Sequence, residues 1–353
     1  MERLYWNNDW KFAETWEEAM KEAVYPENEM EDVRLPHTCK ELPCHYFDEH
    51  AYQMLCGYRR HFMAPEAWQG KSVELTFEGV AHDAVVYVNG TEVKAHHCGY
   101  TAFFVEIAKY LKYGEDNVLA VRVDSRENLN IPPFGYAIDY MTFGGMYREV
   151  YVQVRNKTHL ADVFVKPQIH PLQVTTEITV QNISDGITLQ QEIRKKGEGA
   201  YSPLGKKPVK QTNVQTVFPV QEIRLWELEN PYLYEIRTSL WKNGEMIDAR
   251  VDITGFREAG FRKDGFYLNG KKLRLRGLNR HQSYPYVGYA APASMQIFDA
   301  DILKKELGVN AVRTSHYPQS QDFIRRCDEI GLLVFTEFPG WQHIGDEEWK
   351  RQA

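Results

Sequence analysis

Residues 266–318 read FYLNGKKLRLRGLNRHQSYPYVGYAAPASMQIFDADILKKELGVNAVRTSHYP and contain two short apolar runs that each lead into polar side chains. LRLRGL precedes Arg280 and His281, and VNAV precedes Arg313 and His316. Residues 293–308, ASMQIFDADILKKELG, lie between the runs and carry apolar residues at helical spacing. The stretch therefore predicts a strand, a helix and a second strand.

The boundaries of this helix can also be predicted. Ser294 is a candidate N-cap, and Gly308 stands where a left-handed residue would end the helix. The apolar residues at helical spacing, which should face the protein interior, are Met295, Phe298, Ile302 and the adjacent Leu303.

Further along, QSQDFIRRCDEIG (319–331) predicts a second helix, LLVFTEFPGWQ (332–342) a third buried strand, and DEEWKRQA (346–353) the start of a third helix. Parallel strands joined by helices have their carboxyl ends on one rim. We therefore expect His281 and His316 to be neighbours, with Glu337 and Trp341 on the same rim. In α/β sheets this rim is where ligands bind.

The residues before this unit have the features of β-structure. SVELTFEGV (72–80) alternates apolar and polar residues, as a half-buried strand does, and many short strands favour a β-sandwich or jelly roll over 1–157. Further strand patterns occur over 158–257. Three Asn-Gly pairs, at 89–90, 243–244 and 269–270, predict tight hairpins. KKGEGAYSPLGKKPVKQ (195–211) has no periodicity and predicts a mobile loop.

Composition limits the classes of partner. A formal net charge of −7 argues against a nucleic-acid backbone and is compatible with a neutral sugar. The N-terminal sequence shows no export signal and the chain no apolar segment of membrane-spanning length, so we expect a cytoplasmic protein without a membrane partner.

Five cysteines, an odd number without an export signal, favour free thiols. A zinc site is the alternative for one His/Cys-rich region, but paired metal-ligand spacing is lacking, so ordinary loop and core positions are favoured. Its members are His37, Cys39, Cys44, His45, His50, Cys56 and His61.

Several strings resemble one enzyme family. LNGKKLRLRGLNRHQ, AVRTSHYP and LLVFTEFPGWQH resemble the opening of the catalytic barrel of glycoside hydrolase family 2, the β-galactosidase and β-glucuronidase family. FEGVAHDAVVYVNGTEV and GGMYREVYV resemble its jelly-roll domain, and LWELENPYLYEIRTSL its immunoglobulin-like domain. The resemblance implies a multidomain, mainly β chain: a jelly roll over 1–157, an immunoglobulin-like sandwich over 158–257, and the first three strand–helix units of a TIM barrel over 258–353.

The resemblance also implies a reaction. It points to a retaining β-glycosidase, which needs two carboxyl groups about 5–5.5 Å apart. Both family glutamates follow the third barrel strand, so no catalytic residue is assigned here and the 353 residues alone should be inactive. Glu337 paired with Asp139 is the alternative dyad. No cofactor is implied, and a divalent or alkali metal ion in the full enzyme stays open.

The substrate-binding residues that the resemblance implies lie on the rim and in one loop. His281 and His316 would bind sugar hydroxyls, Arg313 would lie close to the nucleophile, and Trp341 would stack on a sugar ring. Glu337 shares the rim. For each, a structural hydrogen bond or core position is the alternative. The NRHQ string differs from the NKH form associated with glucuronidases, which favours a β-galactoside substrate.

The loop PPFGYAIDYMTFGG (132–145) would reach from the jelly roll to the barrel mouth with Asp139 as a sugar ligand, or leave Asp139 solvated.

Two further expectations follow. A non-catalytic carbohydrate-binding or interaction module, built on the first two domains, is the alternative to a glycosidase fragment. Three barrel strands alone expose sheet edges and apolar helix faces, which predicts a homo-oligomer that self-associates through 258–353.

Overall fold

The computed structural model describes residues 3–43, 48–135 and 138–353. In this part of the chain the N-terminal strands form two sheets, one with the order β3-β2-β4-β9-β6-β7 and the other β1-β10-β5-β8. The strands are β1 (Leu4–Tyr5), β2 (Trp10–Ala13), β3 (Glu31–Val33), β4 (Leu55–Met63), β5 (Ser72–Phe77), β6 (Asp83–Val88), β7 (Thr91–His96), β8 (Phe103–Glu106), β9 (Asp116–Asp124) and β10 (Val150–Arg155). Single 3₁₀ turns lie at Glu18–Lys21, Glu49–Tyr52, Glu66–Trp68 and Ala108–Tyr110.

The core of this sandwich lies between its two sheets. Val73, Leu75 and Phe77 of β5 point into it, as their alternation predicted. The polar side of β5 differs from the prediction, because Ser72 and Thr76 are also buried. The Ser72 hydroxyl donates a hydrogen bond to Glu106 of the paired strand β8.

The second β-sandwich has the sheet orders β11-β12-β15 and β14-β13-β16-β17. Its strands are β11 (His159–Ile169), β12 (Leu172–Gln181), β13 (Ile187–Lys195), β14 (Ser202–Pro208), β15 (Asn213–Pro219), β16 (Tyr234–Lys242) and β17 (Glu245–Thr254). The prediction of a mobile loop over 195–211 is wrong in part, because Ser202–Pro208 forms a strand that pairs with β13. As an edge strand it is largely solvent-exposed, so it needs no apolar alternation.

The C-terminal segment begins with an antiparallel meander of β18 (Ala259–Arg262), β19 (Gly265–Leu268) and β20 (Lys271–Leu273). Three parallel strands follow, β21 (Gly277–Asn279), β22 (Ala311–Arg313) and β23 (Leu333–Phe335), in the order β21-β22-β23. Helices α1 (Ala293–Asp301), extended by a π-turn at Ile302–Glu306, and α2 (Gln321–Ile330) make the crossovers, and α3 (Glu347–Gln352) ends the chain. These strand–helix units are the start of a TIM barrel, as expected.

Helix α1 departs from its predicted details. Pro292 is the N-cap residue and Ser294 lies inside the first turn. Phe298 is 59% exposed, whereas Gln296, Ala300 and Leu303 are buried. Gln296 takes an inward position because its amide oxygen accepts a hydrogen bond from the buried Arg280. Gly308 has the expected positive φ of 62°.

The Asn-Gly hairpins are confirmed. Asn89, Asn243 and Asn269 have φ angles of 49°, 51° and 50°, and the glycine after each also has a positive φ. Such paired angles are those of a type I′ turn.

Among the described residues, no helix has both the length and the apolar content that crossing a bilayer requires.

Candidate substrate-binding site at the barrel rim

The carboxyl ends of β21, β22 and β23 bring together the predicted rim residues. The ring centroids of His281 and His316 are 5.5 Å apart, with the rings nearly perpendicular at 74°. The Trp341 ring centroid also lies 5.5 Å from that of His316, and the two ring planes are tilted by 31°. The prediction that the two imidazoles are neighbours is therefore confirmed.

Glu337 is held by two rim side chains. The Nε of Arg313 donates a hydrogen bond to Oε1 of Glu337, and Nδ1 of His316 lies 3.0 Å from Oε2. Burial acts to raise the pKa of Glu337, but the bonds from Arg313 and His316 outweigh it and hold the pKa below its ordinary value. Glu337 is therefore an ionised carboxylate engaged on both oxygens.

Nδ1 of His316 lies 3.0 Å from Oε2 of Glu337 and 3.3 Å from Nη2 of Arg313. A carboxylate only accepts hydrogen bonds, so the shorter contact favours a proton on Nδ1 directed at Glu337 and leaves Nε2 as the other polar atom of the ring. The pKa of His281 lies below its ordinary value, because burial disfavours the charged ring and the neighbouring His316 and Arg313 add to that effect. His281 is therefore a neutral imidazole at pH 7.

The loop between β9 and β10 crosses from the first sandwich to this rim. The ring centroid of Tyr140 lies 5.5 Å from that of His281, 5.6 Å from that of His316 and 5.5 Å from that of Tyr317. Asp139, the residue that the sequence singled out, is exposed, and its charge opposes the lowering of the His281 pKa. Sequence reasoning missed Tyr140. Its only signal was an aromatic side chain next to Asp139 in a loop expected to reach the barrel.

Tyrosines from both sides build the junction between the first sandwich and the barrel segment. The Tyr317 ring stacks on Tyr100 at 4.2 Å, with planes 6° apart, and the Tyr100 and Tyr289 hydroxyls are 3.1 Å apart. Arg148 Nη2 donates to Oε1 of Gln282 at 3.1 Å and to the carbonyl oxygen of Pro318 at 2.9 Å. The rim is thus fixed relative to the first sandwich.

Arg280, in the NRHQ string, does not belong to the rim. It is 6% exposed and pairs with Asp299, with Nη2 to Oδ2 at 2.6 Å. Its guanidinium also lies 4.1 Å from the centre of the Phe323 ring on α2. Arg280 therefore ties the helices to the sheet, and the expectation that NRHQ separates galactosides from glucuronides stays a prediction from resemblance alone.

The His/Cys-rich region forms no metal centre in the described part. Within residues 3–43, 48–135 and 138–353, no three His, Cys, Asp or Glu side chains are grouped to hold a metal ion. Burial raises the pKa of Cys39 to about 12, whereas metals bind the thiolate. Cys56, Cys98 and Cys327 are also buried free thiols. Cys44 and His45 lie outside the described residues.

Comparisons with known proteins agree with this architecture. Three family models match: "Glycosyl hydrolases family 2, sugar binding domain" over 11–155, "Glycosyl hydrolases family 2" over 158–257, and "Glycosyl hydrolases family 2, TIM barrel domain" over 260–351.

Similar full-length proteins and structures belong to the same family. A β-galactosidase of Thermoanaerobacter pseudethanolicus is 46% identical over 99% of this chain and 48% of its own length. A β-galactosidase of Thermoanaerobacterium thermosulfurigenes is 43% identical over 98% of this chain and 50% of its own length. The structure of Bacteroides uniformis β-glucuronidase 2 superposes with a TM-score of 0.88 at 27% identity, covering 99% of this chain and 44% of that one. The chain spans about half the length of these relatives, and it belongs to glycoside hydrolase family 2.

Proposed function

We propose that this chain supplies the substrate-binding side of the active site of a retaining β-glycosidase that hydrolyses β-galactosides. The observation that carries the proposal is the convergence of His281, His316, Trp341 and the loop bearing Asp139 and Tyr140 on one barrel rim. In TIM-barrel enzymes this rim holds the active site. Residues 1–157, 158–257 and 258–353 would be the three domains of such an enzyme.

The chemistry of the rim suits a neutral sugar. Nδ1 of His316 faces Glu337 and Nδ1 of His281 lies 3.3 Å from the Tyr317 hydroxyl, so each ring has its Nε2 left for one sugar hydroxyl, and the two rings together match a pair of hydroxyls. The half-buried Trp341 offers an aromatic face to the apolar side of a sugar ring. Asp139, exposed next to Tyr140, would accept a hydrogen bond from a further hydroxyl.

Galactosides are favoured over glucuronides for two reasons. The relatives that share 46% and 43% identity are β-galactosidases. A glucuronide also brings a carboxylate that needs a cation. Arg313, the rim guanidinium among the described residues, is already paired with Glu337.

The bond-breaking carboxylates would lie in the part of the enzyme outside these 353 residues. Retention needs a nucleophile and an acid/base group about 5–5.5 Å apart. Both oxygens of Glu337 are engaged by Arg313 and His316, which suits a positioning group better than a nucleophile. We therefore expect the 353 residues to bind a sugar and not to hydrolyse it.

Calorimetry with methyl β-galactoside and methyl β-glucuronide tests the binding role. We expect the 353-residue chain to bind the galactoside more tightly, and His281→Ala and His316→Ala to weaken that binding at least tenfold. Phe164→Ala is the matched control, because Phe164 is an exposed aromatic residue of the second sandwich. If a variant that carries both histidine substitutions binds methyl β-galactoside as tightly as the wild type, the rim does not bind the sugar.

Aryl β-galactoside hydrolysis tests whether the catalytic carboxylates lie outside these 353 residues. The 353-residue chain should show no turnover, and a protein in which this chain is continued to a complete barrel should show it. Binding by a 1–257 fragment as tight as that of the whole chain would instead support the carbohydrate-binding module.

A further inference from the structure

Tyr140 occupies a distinctive place at the site. It belongs to the loop between β9 and β10 of the first sandwich, yet its ring lies against both rim imidazoles, 5.5 Å from His281 and 5.6 Å from His316 between centroids. One side chain from another part of the fold therefore contacts both candidate sugar ligands.

Other aromatic residues also pack against Tyr140 and restrict its ring. Its ring packs on Tyr317, which stacks on Tyr100 of the first sandwich. The next residue along the loop, Met141, accepts a hydrogen bond at its carbonyl oxygen from the Tyr289 hydroxyl, at 2.7 Å. A ring anchored on these sides can act as a fixed wall for the imidazoles, since packed side chains have few alternative rotamers.

The ring matters more than the hydroxyl. The Tyr140 oxygen is shielded from solvent and makes no well-formed hydrogen bond to a described residue, although the Tyr100 hydroxyl acts to lower its pKa. Burial raises the pKa of Tyr140 well above its ordinary value, so the phenol stays neutral. An unpartnered buried hydroxyl contributes little favourable energy, and a phenyl ring of the same shape would replace it at little cost.

We propose that Tyr140 is a positioning residue that fixes the ring planes of His281 and His316 and shields one side of each from water. The first sandwich would thereby set how tightly the barrel rim binds a sugar, a role that rests on the proposed function. Removal of the ring should let the imidazoles rotate and rehydrate, which costs binding affinity.

Three variants separate the ring from its hydroxyl and its bulk. Tyr140→Phe keeps the ring, Tyr140→Leu keeps an apolar side chain without a flat ring, and Tyr140→Ala removes both. Phe104→Ala is the control, because Phe104 is 61% exposed on the same sandwich and lies outside the site.

The first readout needs no sugar. Imidazole titrations of His281 and His316, followed by NMR, report how each ring is buried. Asp139, Arg313, Tyr317, Glu337 and the other imidazole are the charged and titratable groups around them, and they are the same in every variant. We expect Tyr140→Ala and Tyr140→Leu to raise the His281 pKa toward the ordinary value of about 6.5, and Tyr140→Phe to retain the wild-type curve.

The second readout is affinity for methyl β-galactoside. We expect about a tenfold loss in Tyr140→Ala and Tyr140→Leu, and restoration to within about twofold by Tyr140→Phe. Wild-type titration curves in the Ala and Leu variants would overturn the proposal, as would a loss in Tyr140→Phe equal to that in Tyr140→Ala. If the wild-type chain binds neither sugar, the proposed function fails, and the titrations still decide whether Tyr140 positions the imidazoles.

Discussion

His316 Nδ1 lies 3.0 Å from Oε2 of Glu337, and Arg313 donates to the other oxygen of the same carboxylate. Strands β22 and β23 are thereby joined at their carboxyl ends by side chains as well as by backbone pairing. The geometry makes the charge of Glu337 part of what holds the rim together.

Glu337→Gln should therefore destabilise the rim in a pH-dependent way. The Glu337 pKa is depressed in the folded chain, so its contribution is present above the ordinary glutamate pKa of about 4.3 and is lost as the pH falls through the folded value. Because Arg313 is partly exposed, we expect Glu337→Gln to lower the local free energy of unfolding by only about 1 kcal/mol at pH 7. Hydrogen exchange of the β22 and β23 amides measures this free energy. If the stability difference between variant and wild type grows toward pH 3, an ionised Glu337 does not stabilise the rim.

Arg280→Ala should lower the free energy of unfolding far more than Glu337→Gln does. The substitution leaves Asp299 without its cation and removes the hydrogen bond to Gln296, at 2.8 Å. Breaking a buried ion pair by removing one partner costs about 3–5 kcal/mol, and we expect the lower end of this range because Asp299 is 23% exposed and keeps the hydrogen bond from Tyr284. Urea unfolding monitored through the barrel segment should show this loss, and Arg326→Ala is the control, because its pair with Asp301 is more exposed. Equal effects of the two substitutions would refute a structural role specific to Arg280.

Gly331 and Gly308 form a matched pair of helix-ending residues. Both have positive φ, 75° and 62°, but a Cβ on Gly331 would clash with the carbonyl oxygen of Leu228, whereas one on Gly308 would meet open space. We expect Gly308→Ala to cost about 1 kcal/mol from backbone strain alone, and Gly331→Ala about 3 kcal/mol from strain plus the clash. Thermal unfolding of the two variants, measured side by side, checks the order; the reverse order would contradict the contact with Leu228.

The 353-residue chain should self-associate through its barrel segment. Phe298 and Phe338 are each 59% exposed there, and β21 and β23 are the outer strands of their sheet. Exposed apolar side chains and open edges favour association. Light scattering should show a mass that rises with concentration, and Phe298→Glu with Phe338→Glu should lower it. Phe164→Glu is the control, at 55% exposed on the second sandwich. A constant monomer mass in the wild type would refute this prediction.

Local signals predicted much of the fold. The Asn-Gly pairs marked the three hairpins, because the type I′ turn demands backbone angles that few other residues accept. Helix α2 followed its pattern as well, with Phe323 and Cys327 buried and Gly331 at its end. The strand–helix periodicity then placed His281 and His316 on one rim.

Features that depend on distant partners were not predictable in the same way. The edge strand β14 has no apolar face of its own to reveal it. The burial of Arg280 depends on Asp299 and Phe323, which only the packed helices bring near. Tyr140 reaches the rim because a loop of one sandwich crosses to another part of the chain, and no periodicity along the sequence encodes such a path.

The loop that carries Tyr140 is fastened at two backbone carbonyls. Trp349 Nε1 donates to the carbonyl oxygen of Phe134 at 3.0 Å, and Tyr289 donates to that of Met141. Six residues, 135–140, lie between these fastenings, and Asp139 and Tyr140 are among them. A combinatorial library restricted to Asp139 and Tyr140 would vary the side of the candidate site that the first sandwich contributes, which makes these two positions a compact starting point for altering the proposed sugar preference.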